Sequence, residues 1–103
     1  MERKFIWDPA KDEANIRKHG VDFDTAIHVF ADPFAILKQD RIENGELRWQ
    51  TLGMVGGFRL LLIAHTIRDE KNGIEIIRVI SARHAAPKER KRYEQNYQQQ
   101  NRQ

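Results

Sequence analysis

The chain has no cysteine, and only three of its 103 residues are proline. Without cysteine, disulfide bonds, thiolate catalysis and thiolate metal centres are excluded. The longest apolar run extends from Leu60 to Ala64, which is far too short to cross a bilayer. The N-terminal MERKFIW also lacks an apolar stretch of signal-peptide length. We therefore expect a cytoplasmic protein without membrane association.

Two kinds of functional motif are missing as well. The sequence contains no glycine-rich phosphate loop. Its histidines, at positions 19, 28, 65 and 84, do not have the spacing of a metal site. We therefore predict a protein that binds neither a metal nor a cofactor.

Composition indicates one globular domain over residues 1–103 with a heavily charged surface. Hydrophobic residues make up 40% and charged residues 32%, and the net charge is +3. A positive net charge favours acidic partners such as nucleic acid. From about residue 95 the sequence is rich in Gln and Asn, and we predict a polar tail there.

Two helices are indicated near the N-terminus. Asp8 and Pro9 are suited to begin the first helix, and Gly20 is suited to end it. Asp22 can cap the second, which Asp32-Pro33 should end. Its apolar stripe follows helical spacing: Phe23, Ala26, Ile27 and Phe30.

From position 34 the apolar period changes to two, which indicates strands. The predicted strands are 34–39, 47–55, 58–68 and 74–83. Pro87 opens a last helix. Before the first helix, Phe5 and Trp7 alternate in a short extended lead-in, and we expect both in the core. The predicted fold class is therefore α+β, with two N-terminal helices, a four-stranded antiparallel sheet and a C-terminal helix.

The first hairpin lets a strand register be predicted. If Gly56-Gly57 forms a two-residue turn, Arg48 lies opposite His65. Opposed residues share a face, so these two side chains should lie together. The other face would then pack against the second helix. Its members are Leu47, Trp49, Thr51, Phe58, Leu60, Leu62, Ala64 and Thr66.

The second hairpin completes the predicted face. Pairing of Arg68 with Ile74 places Arg59 opposite Arg83, and it leaves Arg78 on the core side. Facing arginines repel each other, which a fold tolerates best when an anion lies between them. The alternative is an ordinary solvated face with carboxylate partners. The predicted functional face consists of Arg48, Gln50, Arg59, His65, Ser81 and Arg83.

A basic run follows the last strand. It contains Lys88, Arg90, Lys91 and Arg92 and ends beside Tyr93. Basic side chains next to an aromatic ring can contact a nucleic-acid backbone. A solvated helix face is the alternative.

Four segments resemble the BrnT family, the toxin half of BrnT–BrnA type II toxin–antitoxin systems. They are FIWDPAKDEANIRKHGVDF, LRWQTLG, FRLLLIAHTIRD and IIRVISARHAAPKERKRYE. The resemblance implies a RelE-like fold, in which N-terminal helices back an antiparallel sheet and RNA is cleaved on the open face. It also implies a BrnA-type antitoxin as partner, with DNA contacted only through the toxin–antitoxin complex.

The resemblance further implies a metal-independent endoribonuclease that inhibits translation, in which the ribose 2′-hydroxyl attacks the adjacent phosphate. Arg59, Arg83 and Tyr93 match RelE-like catalytic positions, although Tyr93 could instead anchor its helix. We predict His65 as the general base or acid, because an unperturbed imidazole pKa of about 6.5 permits either form. A second proton-transfer group is needed, and His19, Lys18 or Tyr93 could serve. The predicted RNA-binding residues are Arg48, Lys18, His19, Lys88 and Arg90. A non-catalytic RNA- or protein-binding module is the alternative function.

Overall fold

The computed structural model describes residues 2–70 and 72–101. Its strands are β1 (Arg3–Ile6), β2 (Ile36–Glu43), β3 (Glu46–Val55), β4 (Arg59–Asp69) and β5 (Glu75–His84). Its helices are α1 (Pro9–His19), α2 (Phe23–Ala26), which a 3₁₀ helix (Ile27–Ala31) continues, and α3 (Pro87–Gln100). The strands form one sheet in the order β1-β5-β4-β3-β2.

The α+β class is confirmed, but the predicted count of four strands was wrong. The lead-in to α1 is a fifth strand, β1, which pairs in parallel with the edge of β5. The sequence indicated an extended lead-in here, but four residues are too few to tell a paired strand from an unpaired extended segment. Phe5 and Trp7 were predicted in the core; both are half-buried, with their rings on Phe30 and Phe23 respectively, and Trp7 packs against the core cluster.

The predicted helix ends are confirmed at α1. The Asp8 carboxylate accepts the Ala10 N–H at 2.9 Å, and Gly20 ends the helix at φ 70°. At the other end of the chain, α3 begins at Pro87 as predicted. It then continues to Gln100, through most of the predicted polar tail. The last two residues of that tail lie outside the described residues.

Helices cover both faces of the sheet, and β4 contributes to both interfaces. Leu61 and Ile63 pack against the N-terminal helices, whereas Leu60 and Leu62 pack against Tyr93 of α3. This is why residues 60–63 read as an unbroken apolar run rather than an alternating one.

Gly53 permits the close approach of the 3₁₀ helix to β3. A Cβ at this position would lie 2.9 Å from the Cβ and 2.9 Å from the carbonyl oxygen of Val29. Gly53→Ala should therefore lower the free energy of unfolding by about 2 kcal/mol through overpacking, measured by chemical denaturation. Gln50→Ala, on the opposite face of β3, is the control. A loss no larger than that of the control would contradict the close-contact argument.

Candidate functional site

The β3–β4 hairpin differs from its predicted register by one residue. Its loop has three residues, 56–58, so Val55 pairs with Arg59 and Trp49 pairs with His65. A shift of one residue turns every side chain of one strand to the other face relative to its neighbour. The predicted pairing of Arg48 with His65 was therefore wrong, and these two side chains lie on opposite faces of the sheet.

The β4–β5 register also differs from the predicted register, at two places. Arg68 pairs with Ile76 instead of Ile74, and the register shifts again where Ala64 pairs with Ser81 but His65 pairs with Val79. The shift leaves residue 80 as an extra residue, which is a β-bulge.

The bulge changes which arginines share a face. Arg83 pairs with Leu62, so the predicted pair of Arg59 and Arg83 was wrong. By strand alternation Arg59 lies on the side of α1 and α2. The bulge places Arg78 on the same face as Arg83, whereas the sequence had suggested the core side for Arg78.

The sheet surface turned away from α1 and α2 carries one lysine and several arginines, and we call it the basic face. α3 crosses one end of it, over Leu52, Leu60 and Leu62. Four of the six residues predicted for the functional face lie here, but Arg59 and His65 do not. The basic face consists of Lys38, Arg48, Gln50, Thr66, Arg68, Arg78, Ser81 and Arg83.

Carboxylates neutralise part of this face. Glu43 lies 3.3 Å from the guanidinium of Arg48, and Glu46 pairs with Arg78. The carboxylate partners that the sequence left as an alternative are thus present. Within the described residues, the buried Nε of Arg48 has no hydrogen-bond partner, so the protein does not use all the donors of this guanidinium.

Arg83 is held at the end of β5 by the first turn of α3. Its Nη1 and Nη2 donate to the two carboxylate oxygens of Glu89 at 2.9 and 2.8 Å, and Nη1 also donates to the His84 carbonyl at 3.1 Å. The bond from Arg83 lowers the pKa of Glu89. Sequence reasoning missed Glu89, although an acid near a helix N-terminus that begins with Pro87 suggests a capping role.

His65 is fully buried on the side of the N-terminal helices. Its Nδ1 lies 3.2 Å from the carbonyl of Thr66, which can only accept. This nitrogen therefore carries the proton, and Nε2 accepts from the Thr51 hydroxyl at 2.7 Å. Burial lowers the pKa of His65, and its imidazole packs against the Phe30 ring in a T-shaped contact with the ring centroids 5.0 Å apart. The structure does not bring this imidazole to the basic face.

Tyr93 lies on the inner side of α3 and is also buried. Its hydroxyl donates to Asp32 at 2.6 Å, and Asp32 also accepts the backbone N–H groups of Met54 and Phe34. Burial, together with the bond to Asp32, raises the pKa of Tyr93. Tyr93 was predicted either to take part in catalysis or to anchor its helix, and these contacts favour anchoring of α3. The sequence indicated Asp32 only as a helix terminator.

Tyr93→Phe tests the anchoring role. The ring still fills its site, but the hydrogen bond to an ionised carboxylate is lost. We expect the free energy of unfolding to fall by about 1.5 kcal/mol, measured by chemical denaturation, while cleavage per folded molecule stays unchanged. Tyr97→Phe, on the same helix, is the control for stability. Loss of cleavage in a fully stable Tyr93→Phe variant would instead support the catalytic role.

The other predicted RNA-binding residues lie at two places. Lys18 and His19 end α1, which packs on the opposite side of the sheet from the basic face. Lys88 and Arg90 are exposed in the first turns of α3. The structure therefore places Arg48 and Arg83 on the same face of the sheet, two strands apart, but it does not place Lys18 or His19 there.

A groove of about 1000 Å³ lies between α3, the end of the 3₁₀ helix and the β3–β4 loop. Its lining is largely apolar and includes Phe34, Met54 and Tyr97, with His28 and Arg90 among its polar residues. Across residues 2–70 and 72–101, no three His, Asp or Glu side chains cluster as metal ligands do. Within the same ranges, no helix is long and apolar enough to span a membrane.

Comparison with protein families now adds to this geometry. Residues 7–89 match the model for BrnT, the ribonuclease toxin of type II toxin–antitoxin systems. The chain belongs to this family. A BrnT toxin acts together with an antitoxin and on RNA, so at this level the predicted ribonuclease activity and partner are confirmed.

A solved BrnT structure has a similar fold. The crystal structure of the Brucella abortus ribonuclease toxin BrnT matches with a TM-score of 0.57 and 24% sequence identity. The match covers 84% of this chain and 99% of the Brucella chain. Comparison with curated proteins gives no match.

Proposed function

We propose that this BrnT-family chain is a metal-independent endoribonuclease that binds RNA on the basic face and inhibits translation. The observation that carries the proposal is the collection of cations from β2, β3, β4 and β5 on one open sheet surface. Planar, permanently charged guanidinium groups are well suited to phosphate. Neighbouring strands lie about 4.8 Å apart, so several cations can contact one stretch of RNA backbone.

The proposed reaction is attack of a ribose 2′-hydroxyl on the adjacent phosphate, with departure of the 5′-oxygen. The 2′-proton would pass to water and the departing 5′-oxygen would take a proton from water, so that one product ends in a 2′,3′-cyclic phosphate and the other in a 5′-hydroxyl. The largest demand is stabilisation of the charged phosphorane, and we assign it to Arg83, whereas we assign Arg48 a contact to another phosphate of the RNA backbone. We assign backbone contacts to Lys88 and Arg90. His65 is given a structural role, because its imidazole is buried and both of its nitrogens are hydrogen-bonded.

The partner we propose is a BrnA-type antitoxin that covers the basic face. A segment with acidic side chains would match the charge of this surface and speed association. DNA would then be contacted through the antitoxin in the complex. Lys18, His19 and Arg59 lie on the other side of the sheet, so we propose no RNA contact for them.

Product analysis of RNA cleavage in excess EDTA tests the proposed function. The purified chain is incubated with labelled RNA, free and on translating ribosomes. Cutting should persist in EDTA and leave a 2′,3′-cyclic phosphate, and a matched substrate with 2′-deoxyribose at the cut site should stay intact. Cleavage that requires Mg²⁺, or products with a 3′-hydroxyl, would contradict the mechanism.

A non-catalytic RNA-binding module is the second candidate, and the burial of His65 favours it, because this imidazole cannot reach RNA on the basic face. In that case RNA would be bound but not cut, whether it is free or on translating ribosomes.

Both functions require RNA on the basic face. Arg48→Gln should therefore weaken RNA binding and reduce the slope of log affinity against log salt by about 0.7. Arg17→Gln, on exposed α1, should change neither quantity, and equal effects would contradict the placement of RNA.

A further inference from the structure

We propose that Glu89 is a positioning residue that holds Arg83 so that one edge of its guanidinium faces the RNA phosphate. This inference rests on the proposed function, in which Arg83 contacts phosphate. Glu89 itself would touch neither RNA nor the reacting atoms. It would act by fixing the direction in which Arg83 presents its donors.

The donors of Arg83 divide into two groups. A guanidinium carries five N–H groups. Two of them, one on Nη1 and one on Nη2, donate to the carboxylate of Glu89. The other hydrogen of Nη1 is directed to the His84 carbonyl. The Nε–H and the second Nη2–H, which are adjacent on one edge, have no acceptor among the described residues.

That remaining edge has the geometry for an oxyanion. Two parallel N–H groups on a guanidinium edge form the bidentate fork that binds carboxylate or phosphate. The Arg83 side chain is 39% exposed, so an RNA phosphate can reach it. Ser81 lies two residues earlier on the basic face and borders the same position.

Glu89 is itself rigidly placed. Its Oε1 accepts the Ala86 N–H at 2.8 Å, which also satisfies a backbone donor at the start of α3. The side chain is only 16% exposed, and its pKa is lowered, so it stays ionised at neutral pH. Arg83 is therefore bonded to a carboxylate that cannot easily move, and its free edge needs little reorganisation before phosphate binds.

A purely structural role for Glu89 makes a different prediction. If Glu89 only caps α3, its loss would weaken folding and would affect cleavage to the same degree whether or not Arg83 is present. If Glu89 positions Arg83, its effect on cleavage must disappear once Arg83 is removed. A double-mutant cycle separates the two roles.

The experiment measures kcat, KM and melting temperature for four chains: the parent, Glu89→Gln, Arg83→Ala and the double variant. Glutamine keeps an acceptor for the Ala86 N–H but lacks the charge and the second oxygen. Glu89→Gln should lower kcat on the order of 10-fold or more, because misplacement of a catalytic group by about 1 Å can cost 100-fold. Glu94→Gln, with the same charge change on α3, should leave kcat unchanged.

The double-mutant cycle tests whether Glu89 acts through Arg83. In the Arg83→Ala background, Glu89→Gln should have no further effect on kcat. An equal loss in both backgrounds, or faster cleavage by the single variant, would overturn the positioning role. If Arg83→Ala alone leaves cleavage intact, the proposed function of Arg83 fails instead.

Discussion

Replacing Arg83 with alanine is expected to slow RNA cleavage by about 100-fold or more, because one preorganised donor to a charged transition state contributes this much. Arg83 is the arginine on the basic face whose orientation is fixed by a bidentate carboxylate. Removing it takes away the guanidinium edge that would face the phosphorane. The measurement is single-turnover cleavage of labelled RNA, with the folded fraction determined by circular dichroism.

Arg59→Ala is the matched control for this prediction. Both arginines are half-buried, but Arg59 begins β4 and lies on the opposite side of the sheet, near Asp22. The hydrogen bond from the Thr25 hydroxyl and, to a smaller extent, the charge of Arg59 lower the pKa of Asp22. We expect Arg59→Ala to change cleavage less than threefold. Equal losses in Arg59→Ala and Arg83→Ala would contradict the assignment of RNA to the basic face.

The different positions of these two arginines show that helix ends could be predicted from the sequence, whereas the members of a sheet face could not. Helix ends could be predicted because a cap, a proline and a terminal glycine act locally, as at Asp8, Pro9 and Gly20. The members of a sheet face depend on register, and register depends on loop length. A third loop residue, Phe58, was enough to separate Arg48 from His65.

The β-bulge in β5 is the second feature that period-two reasoning could not predict. Strict alternation placed Arg78 and Arg83 on different faces, whereas the extra residue at position 80 puts both on the basic face. The burial pattern of the structure shows the bulge, since the buried residues Val79 and Ala82 are three positions apart instead of two. The unbroken apolar run of β4 likewise indicated that helices cover both of its faces.

Loss of His65 is expected to destabilise the protein strongly without removing the chemistry. His65→Ala would leave the Thr51 hydroxyl without its acceptor and create a cavity beneath Phe30. We expect the free energy of unfolding to fall by about 3 kcal/mol. Growth inhibition would decrease because less folded toxin is present, while cleavage per folded molecule would be retained. A stable His65→Ala chain that does not cleave RNA would restore the catalytic role predicted from the sequence.

Acid titration gives an independent check of the buried, neutral imidazole. Burial holds the pKa of His65 below 6.5 in the folded state, whereas the unfolded chain should titrate near 6.5. As pH falls below about 6.5, the unfolded state takes up a proton that the folded state does not, so stability decreases. The free energy of unfolding should fall by nearly 1.4 kcal/mol for each pH unit, until the pH reaches the folded-state pKa of His65.

Chemical denaturation between pH 7 and pH 5 measures this slope. His65→Ala should reduce the slope, whereas Gln50→Ala, which removes no titratable group, should leave it unchanged. An unchanged slope in His65→Ala would mean that the imidazole titrates normally in the folded protein. That result would contradict the burial of His65 on the side of the N-terminal helices.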